Sequence, residues 1–255
     1  LSIDAPTVAV QRDSAGVLTI AGFTTTPQAT PGKALDWVFS QKEIVIKGGT
    51  LIWTDAMPHL FGDTDALPHA RIEDVQLSLK NGLRSHAILL EAKPPLAFGQ
   101  ALRMTGKFTQ PLLETHAGNY KAWTGSVDAQ IKNIPELASL IKTKFDWPLK
   151  TANLEGEQLA LARLPQLAQM VGYKLPDALD ALAGVQSTRL MAEAKNIGSD
   201  KLQLSVKAKM MHPDFAGDID AQWKKEGEKI DASANLERVD LDSLHRYVPL
   251  AEYAE

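Results

Sequence analysis

Apolar and polar positions alternate along most of this chain. The alternation is unbroken from Lys201 to Met210, where every second residue is apolar and the residues between are Lys, Gln or Ser. Because successive side chains of a strand face opposite sides of a sheet, this pattern predicts strands with one apolar face and one solvated face. The same pattern recurs at Leu102–Phe108, Val127–Ile131, Gly217–Trp223 and Ile230–Leu236.

Short turn signals between these segments predict antiparallel pairing. Asn81-Gly82 separates two strand-like runs, Arg71–Lys80 and Arg84–Ala92. Asn-Gly between such runs is the strongest short-range hairpin signal, because both residues tolerate positive φ. Strands joined by short connections pair antiparallel, whereas parallel strands need a longer crossover. The sequence therefore predicts a mainly β fold with a few short helices.

Helical spacing of apolar residues predicts those helices. One is expected within Lys33–Gln41, one over Ile134–Phe145 with Pro135 in its first turn, two within 164–184, and one over Asp240–Tyr247. We therefore divide the chain into a first β segment (1–133), a helix-rich insertion or connection (134–187), and a second β segment with a C-terminal helix (188–255). The three parts are expected to form one elongated domain.

Composition excludes some functions and leaves others open. The net charge of -4 gives no basic face of the kind nucleic-acid binders show, so no nucleic-acid partner is expected. The absence of cysteine excludes disulfides and thiolate chemistry. No apolar run reaches the roughly 18 residues that would span a bilayer. The chain starts at Leu1 inside a strand-like phrase, and we expect it to be a piece of a longer protein.

Candidate catalytic or metal-ligating residues are few. His59 and His69 flank Asp63 in a loop rich in Pro and Gly, but ligands need converging side chains and a supporting shell, which this spacing does not provide. A solvated loop is the expectation there. No nucleophile elbow, phosphate-binding glycine loop or metalloprotease motif is present. We expect no catalytic residues, no metal and no cofactor, and hence not an enzyme.

The predicted apolar face admits two interpretations. In the first it is half of a closed core, packed against a second sheet or helices. In the second it lines an open trough that holds acyl chains. Small residues favour the trough slightly, because they leave room where a closed core fills space. The small apolar positions in the second half of the chain are Ala192, Ala194, Ala208, Ala221, Ala232 and Ala234.

Several ordered phrases resemble a known family. They run from Ala34-Leu35-Asp36-Trp37 through Ile44–Asp55 and Leu67–Gly82 with Arg84-Ser85-His86. Near the end come the phrases Met211–Gly217, Leu236–Asp240 and His245–Leu250. In this order they resemble the YhdP branch of the AsmA-like proteins of Gram-negative bacteria, over most of the chain.

The resemblance implies an elongated, twisted antiparallel sheet curled into an open trough with an apolar inner face. It further implies a periplasmic segment of a protein anchored in the inner membrane, which shields phospholipid acyl chains moving between the two membranes. Membrane contact would be made by parts of the parent protein outside this chain, and other envelope proteins are possible partners. The alternative is a periplasmic β scaffold or interaction protein in envelope assembly that transports nothing.

Under the trough interpretation, the floor is formed by large apolar residues at alternating strand positions. These candidates are Leu102, Met104, Phe108, Val127, Ile131, Leu202, Leu204, Val206, Met210, Ile219, Ile230 and Leu236.

Overall fold

The described residues form one open β-sheet. The computed structural model describes residues 1–13, 17–20, 23–25, 37–55, 69–112, 122–160, 162, 185–211, 216–226 and 229–236. Fifteen strands in these ranges belong to a single twisted sheet that does not close on itself. The expected fold class, a mainly β chain forming an open antiparallel sheet, is confirmed.

The strands follow one another along the chain, with connections that range from two residues between β1 and β2 to 25 residues between β11 and β12. The first eight are β1 (Ser2–Asp4), β2 (Thr7–Arg12), β3 (Leu18–Ile20), β4 (Phe23–Thr25), β5 (Glu43–Asp55), β6 (His69–Asn81), β7 (Ser85–Lys93) and β8 (Ala101–Thr109). The others are β9 (Thr124–Ile134), β10 (Ala138–Trp147), β11 (Thr151–Ala160), β12 (Gln186–Lys195), β13 (Gln203–Met211), β14 (Ala216–Glu226) and β15 (Lys229–Leu236).

From β5 to β15 the order in the sheet is the order in the chain, and every neighbouring pair is antiparallel. The amino-terminal strands depart from this pattern. β1 and β2 both pair with β5 in parallel, and β3 and β4 extend the sheet beyond β2. The sequence did not reveal this parallel pairing.

The predicted helix over Ile134–Phe145 is wrong. Its first residues form a tight turn in which Leu137 N–H donates to the Ile134 carbonyl at 3.2 Å. Pro135 is the second residue of this turn and Glu136, with φ of 57°, is the third, which are the positions of a type II turn. The strand β10 then follows. From Ile141 to Trp147 every second residue is charged, and a period of two is that of a strand.

Apart from single 3₁₀ positions at 122 and 162, helical structure in the described residues consists of two short pieces. Trp37–Ser40 forms a single helical turn within the predicted Lys33–Gln41 helix, and Leu96–Phe98 forms a 3₁₀ helix. The helices predicted at 164–184 and Asp240–Tyr247 lie outside the described residues. No helix in the described part of the chain is long and apolar enough to cross a bilayer.

The predicted hairpin of β6 and β7 is present, although its turn differs from the expected one. Neither Asn81 nor Gly82 takes a positive φ. The connection is closed by a hydrogen bond of 2.7 Å from Gly82 N–H to the Ser85 carbonyl. The Asn81 side-chain amide instead donates to the Val38 and Gln41 carbonyls at 3.2 and 2.8 Å, which fixes the helical turn beside the hairpin.

Buried residues concentrate in two places at opposite ends of the strands. One cluster lies where β9, β11 and β13 end and β10 and β12 begin, and it consists of Ile134, Leu137, Ala138, Leu159, Val185, Ala208 and Met210. The other is aromatic and lies where β7 and β9 begin and β8 ends. It consists of Phe39, His86, Phe108 and Trp123. Between these clusters most side chains on the same face are half-buried.

Candidate functional site: an apolar face carried across the sheet

The strand register keeps apolar positions on one side of the sheet from strand to strand. We call this side the apolar face. Since cross-strand partners lie on the same side of a sheet, a single row can be followed through successive pairs. One such row runs Ile46, Leu77, Leu90, Met104, Ala129, Thr143, Leu154, Ala192, Val206, Ala221 and Ala234. The row crosses eleven strands and contains one polar residue.

The structure places eleven of the twelve predicted floor residues in strands, at register positions of the apolar face. Leu102, Met104 and Phe108 of β8 pair with residues of β9 that include Val127 and Ile131. In the second half, Leu204, Val206 and Met210 of β13 pair with β14, whose Ile219 pairs with Leu236 of β15; Ile230 also lies on β15. Leu202 lies in the connection before β13 and is half-buried there.

A line of small side chains runs through the second half of the apolar face. Ala192, Val206, Ala221 and Ala234 occupy successive register positions on β12, β13, β14 and β15, and we call them the small-residue row. The rows on either side contain larger residues. Leu204 pairs with Trp223 on one side, and Leu190 and Ile219 both pair with Ala208 on the other. Large side chains in both neighbouring rows therefore flank the small-residue row.

Sequence reasoning missed the apolar positions of β10, because it assigned that segment to a helix. Ile141 and Phe145 pair with Ile131 and Val127 of β9, so they belong to the apolar face together with the floor residues that were predicted. The lysines at 142 and 144, alternating with these apolar residues, were the signal that could have identified them.

The opposite face of the sheet is polar and carries ion pairs across neighbouring strands. Four of these pairs join directly opposed residues: Glu43–Lys80 at 3.6 Å, Glu91–Arg103 at 3.5 Å, Asp128–Lys144 at 4.0 Å and Lys207–Asp220 at 3.1 Å. Their side chains are largely exposed, so each contributes little to stability. The polar face is therefore a solvated surface with alternating charge.

The pKa of one carboxyl on this polar face is shifted. Hydrogen bonds from Lys93 and then Gln76 lower the pKa of Asp74, an exposed carboxyl already ionised at neutral pH. A depression of about 620 Å³ lies between residues of both charges, including Arg103, Asp128, Lys142 and Glu155. Among the described residues no group of three or more His, Asp or Glu is placed to hold a metal ion. His59 and Asp63 lie outside the described residues.

The aromatic cluster closes one end of the apolar face. The rings of His86 and Trp123 stack with centroids 4.0 Å apart and an interplanar angle of 6°, and Phe39 packs edge-on against both. Trp123 is 2% exposed and His86 is 3% exposed. Burial lowers the pKa of His86, and the nearby Gln110 side chain partly opposes this change. The imidazole is therefore neutral at pH 7.

Comparison with known proteins gives no match: no family model, no curated protein and no solved structure matches this chain.

Proposed function

We propose that this chain is a segment of a lipid-conducting bridge, in which the apolar face shields phospholipid acyl chains that move across the strands. The supporting observation is the continuity of the apolar face. The main contacts between described elements run between neighbouring strands of the sheet, and the 3₁₀ helix against β9 and the helical turn at the aromatic cluster add to them. Within the described residues no second sheet packs on this face.

Burial along the described strands supports the open trough over the closed core. Between the two buried clusters, most side chains on the apolar face are half-buried. A single sheet accounts for this degree of burial, because each strand is covered only by its neighbours. A second layer packed over the whole face would bury these side chains fully.

The free energy of transferring an acyl chain from water is compatible with a conduit. Removing a methylene from water is worth about 0.8 kcal/mol, so one sixteen-carbon chain gains roughly 12 kcal/mol of gross transfer free energy. A bilayer supplies nearly the same free energy, and the trough therefore needs only to match it. The small-residue row gives an acyl chain a path whose affinity changes little from strand to strand. The resemblance noted in the sequence suggests the periplasm of a Gram-negative bacterium as the location.

Photocrosslinking on the two faces of one strand tests the proposal. A benzophenone amino acid at Leu204, which is exposed on the apolar face, should form phospholipid adducts in cells. The same probe at Lys207, on the polar face of the same strand, is the matched control and should form few. Val206→Glu should abolish the Leu204 adduct while Lys207→Glu preserves it, because only the first places a charge in the small-residue row.

The competing function is a scaffold that carries no lipid. It would give protein adducts, or none, from Leu204. It would also be favoured if Val206→Glu unfolded the chain while Lys207→Glu did not, since a closed core cannot accept a buried charge. Purified protein that contains no lipid by native mass spectrometry would count against the conduit.

A further inference from the structure

Several large apolar side chains are exposed at the end of the strands where β5, β7 and β9 begin, and three of them lie beside the aromatic cluster. Leu83 is 96% exposed, Leu112 is 79% exposed and Trp37 is 55% exposed. Trp37 lies in the helical turn before β5, Leu83 in the turn between β6 and β7, and Leu112 in the segment after β8. We call these three residues the apolar tip.

Hydrogen bonds hold the three connections next to one another. The Asn81 side chain ties the helical turn to the β6–β7 hairpin through the Val38 and Gln41 carbonyls. Gln110 N–H donates to the Arg84 carbonyl at 2.8 Å, and the Arg84 guanidinium donates back to the Gln110 carbonyl at 3.0 and 2.8 Å. The segment that bears Leu112 is therefore fixed against the turn that bears Leu83.

A basic depression borders the apolar tip. It has a volume of about 780 Å³, and its lining includes Gly82 and Ser85 of the hairpin turn together with Lys42, Lys80 and Lys107. Among the described residues that line it, Glu43 is the only acid, and this carboxylate is paired with Lys80 at 3.6 Å. Two lysines, Lys42 and Lys107, therefore give the depression a net positive charge.

The opposite end of the strands carries less of this combination. Leu96, in the 3₁₀ helix there, is 74% exposed. The depression beside its connection is lined by Lys93, Arg103 and Lys132, of which Lys93 is paired with Asp74 at 3.1 Å and Arg103 with Glu91 at 3.5 Å. Among the described residues, one unpaired lysine therefore lies near Leu96, whereas two lie at the apolar tip.

We propose that the apolar tip docks on an anionic phospholipid bilayer, with Leu83, Leu112 and Trp37 entering the interface and Lys42 and Lys107 facing the headgroups. Large apolar side chains beside lysines are the composition that binds at the membrane interface. Basic residues near an anionic surface add attraction that falls as salt rises. This inference does not depend on the proposed function, because a tip can bind a bilayer whether or not the apolar face carries lipid.

Vesicle flotation of the purified full chain tests the docking. The chain should float with phosphatidylcholine vesicles that contain phosphatidylglycerol, and more weakly with phosphatidylcholine alone. Leu83→Ser/Leu112→Ser should reduce partitioning at least about tenfold, because burying even one leucine side chain is worth about that factor. Leu96→Ser is the matched control at the opposite end and should bind as the parent chain does. Lys42→Glu/Lys107→Glu should remove the preference for phosphatidylglycerol.

Several results would overturn this docking. They are absence of vesicle binding by the parent chain, an equal loss in Leu96→Ser, or unchanged binding by Leu83→Ser/Leu112→Ser with an unaltered melting curve. A dimer that dissociates in the double variant, without vesicle binding, would assign the tip to a second copy instead. Leu204 crosslinking, measured on the same double variant, separates the two proposals: retained adducts with lost flotation implicate the tip alone.

Discussion

His86 and Trp123 are a buried pair of rings whose polar nitrogen atoms lie within apolar surroundings. The His86 Nδ1 atom lies 2.8 Å from the Asn81 side-chain oxygen. Because the Asn81 amide nitrogen already donates to two carbonyls, that oxygen accepts, and Nδ1 carries the proton. His86 Nε2 and Trp123 Nε1 have no hydrogen-bond partner in the described structure. A second proton on His86 would therefore bury a charge that the Gln110 side chain compensates only in part.

This arrangement predicts loss of stability in mild acid. The pKa of His86 is lowered from its ordinary 6.5. The unfolded chain therefore takes up a proton at a higher pH than the folded chain, and stability falls as the pH drops below about 7. Thermal unfolding followed between about pH 7.5 and pH 5.5 should show a falling melting temperature, and His86→Gln should flatten that fall. Identical pH profiles for the two proteins would contradict the burial of a neutral imidazole.

At the scale of the elements, alternation alone identified most strands because each strand has one solvated face. It failed at β10, where Leu137, Leu140 and Ile141 imitate helical spacing although Leu137 belongs to the preceding turn. It could not reveal the parallel pairing of β1 and β2 with β5, since that pairing is between segments far apart in the chain. The apolar tip was also missed, because exposure of single leucines in turns has no sequence pattern.

The close packing of β8 on β9 gives a prediction at this scale. A Cβ added at Gly125 would collide with the Lys107 carbonyl oxygen of the neighbouring strand, which is backbone. A Cβ at Gly106 would first meet the Phe108 ring, which can turn. Gly125→Ala should therefore destabilise the protein by about 1–3 kcal/mol, and Gly106→Ala by less. Urea unfolding of the two variants measures the difference, and an equal loss would show that both sites relax alike.

At the scale of the whole molecule, the sheet is extended in one direction. Fourteen strands follow one another in a single path. At about 4.8 Å between strands, that path is roughly 60 Å long. The sequence indicated the strands, and the resemblance supplied the expectation of a trough. Composition could not distinguish a trough from a closed core, because both need the same alternating strands.

Small-angle X-ray scattering tests this extended form. A compact 255-residue domain would have a radius of gyration of about 18 Å. We expect a clearly larger value, with a distance distribution skewed to long distances, because one sheet layer cannot fold into a sphere. A value near 18 Å from a monodisperse sample would show that the apolar face is covered by a second layer.

The match between chain order and sheet order from β5 to β15 also has a consequence for how the molecule assembles. Each antiparallel hairpin meets only the hairpin before it and the one after it, as in repeat proteins, where stability is a sum of unit and neighbour terms. Folding can therefore start in any hairpin and spread by adding strands, without waiting for distant segments to meet. For the same reason, deleting one whole hairpin, such as β12 with β13, leaves β11 and β14 in antiparallel directions. The sheet becomes two strands shorter, and the order and directions of the remaining strands do not change.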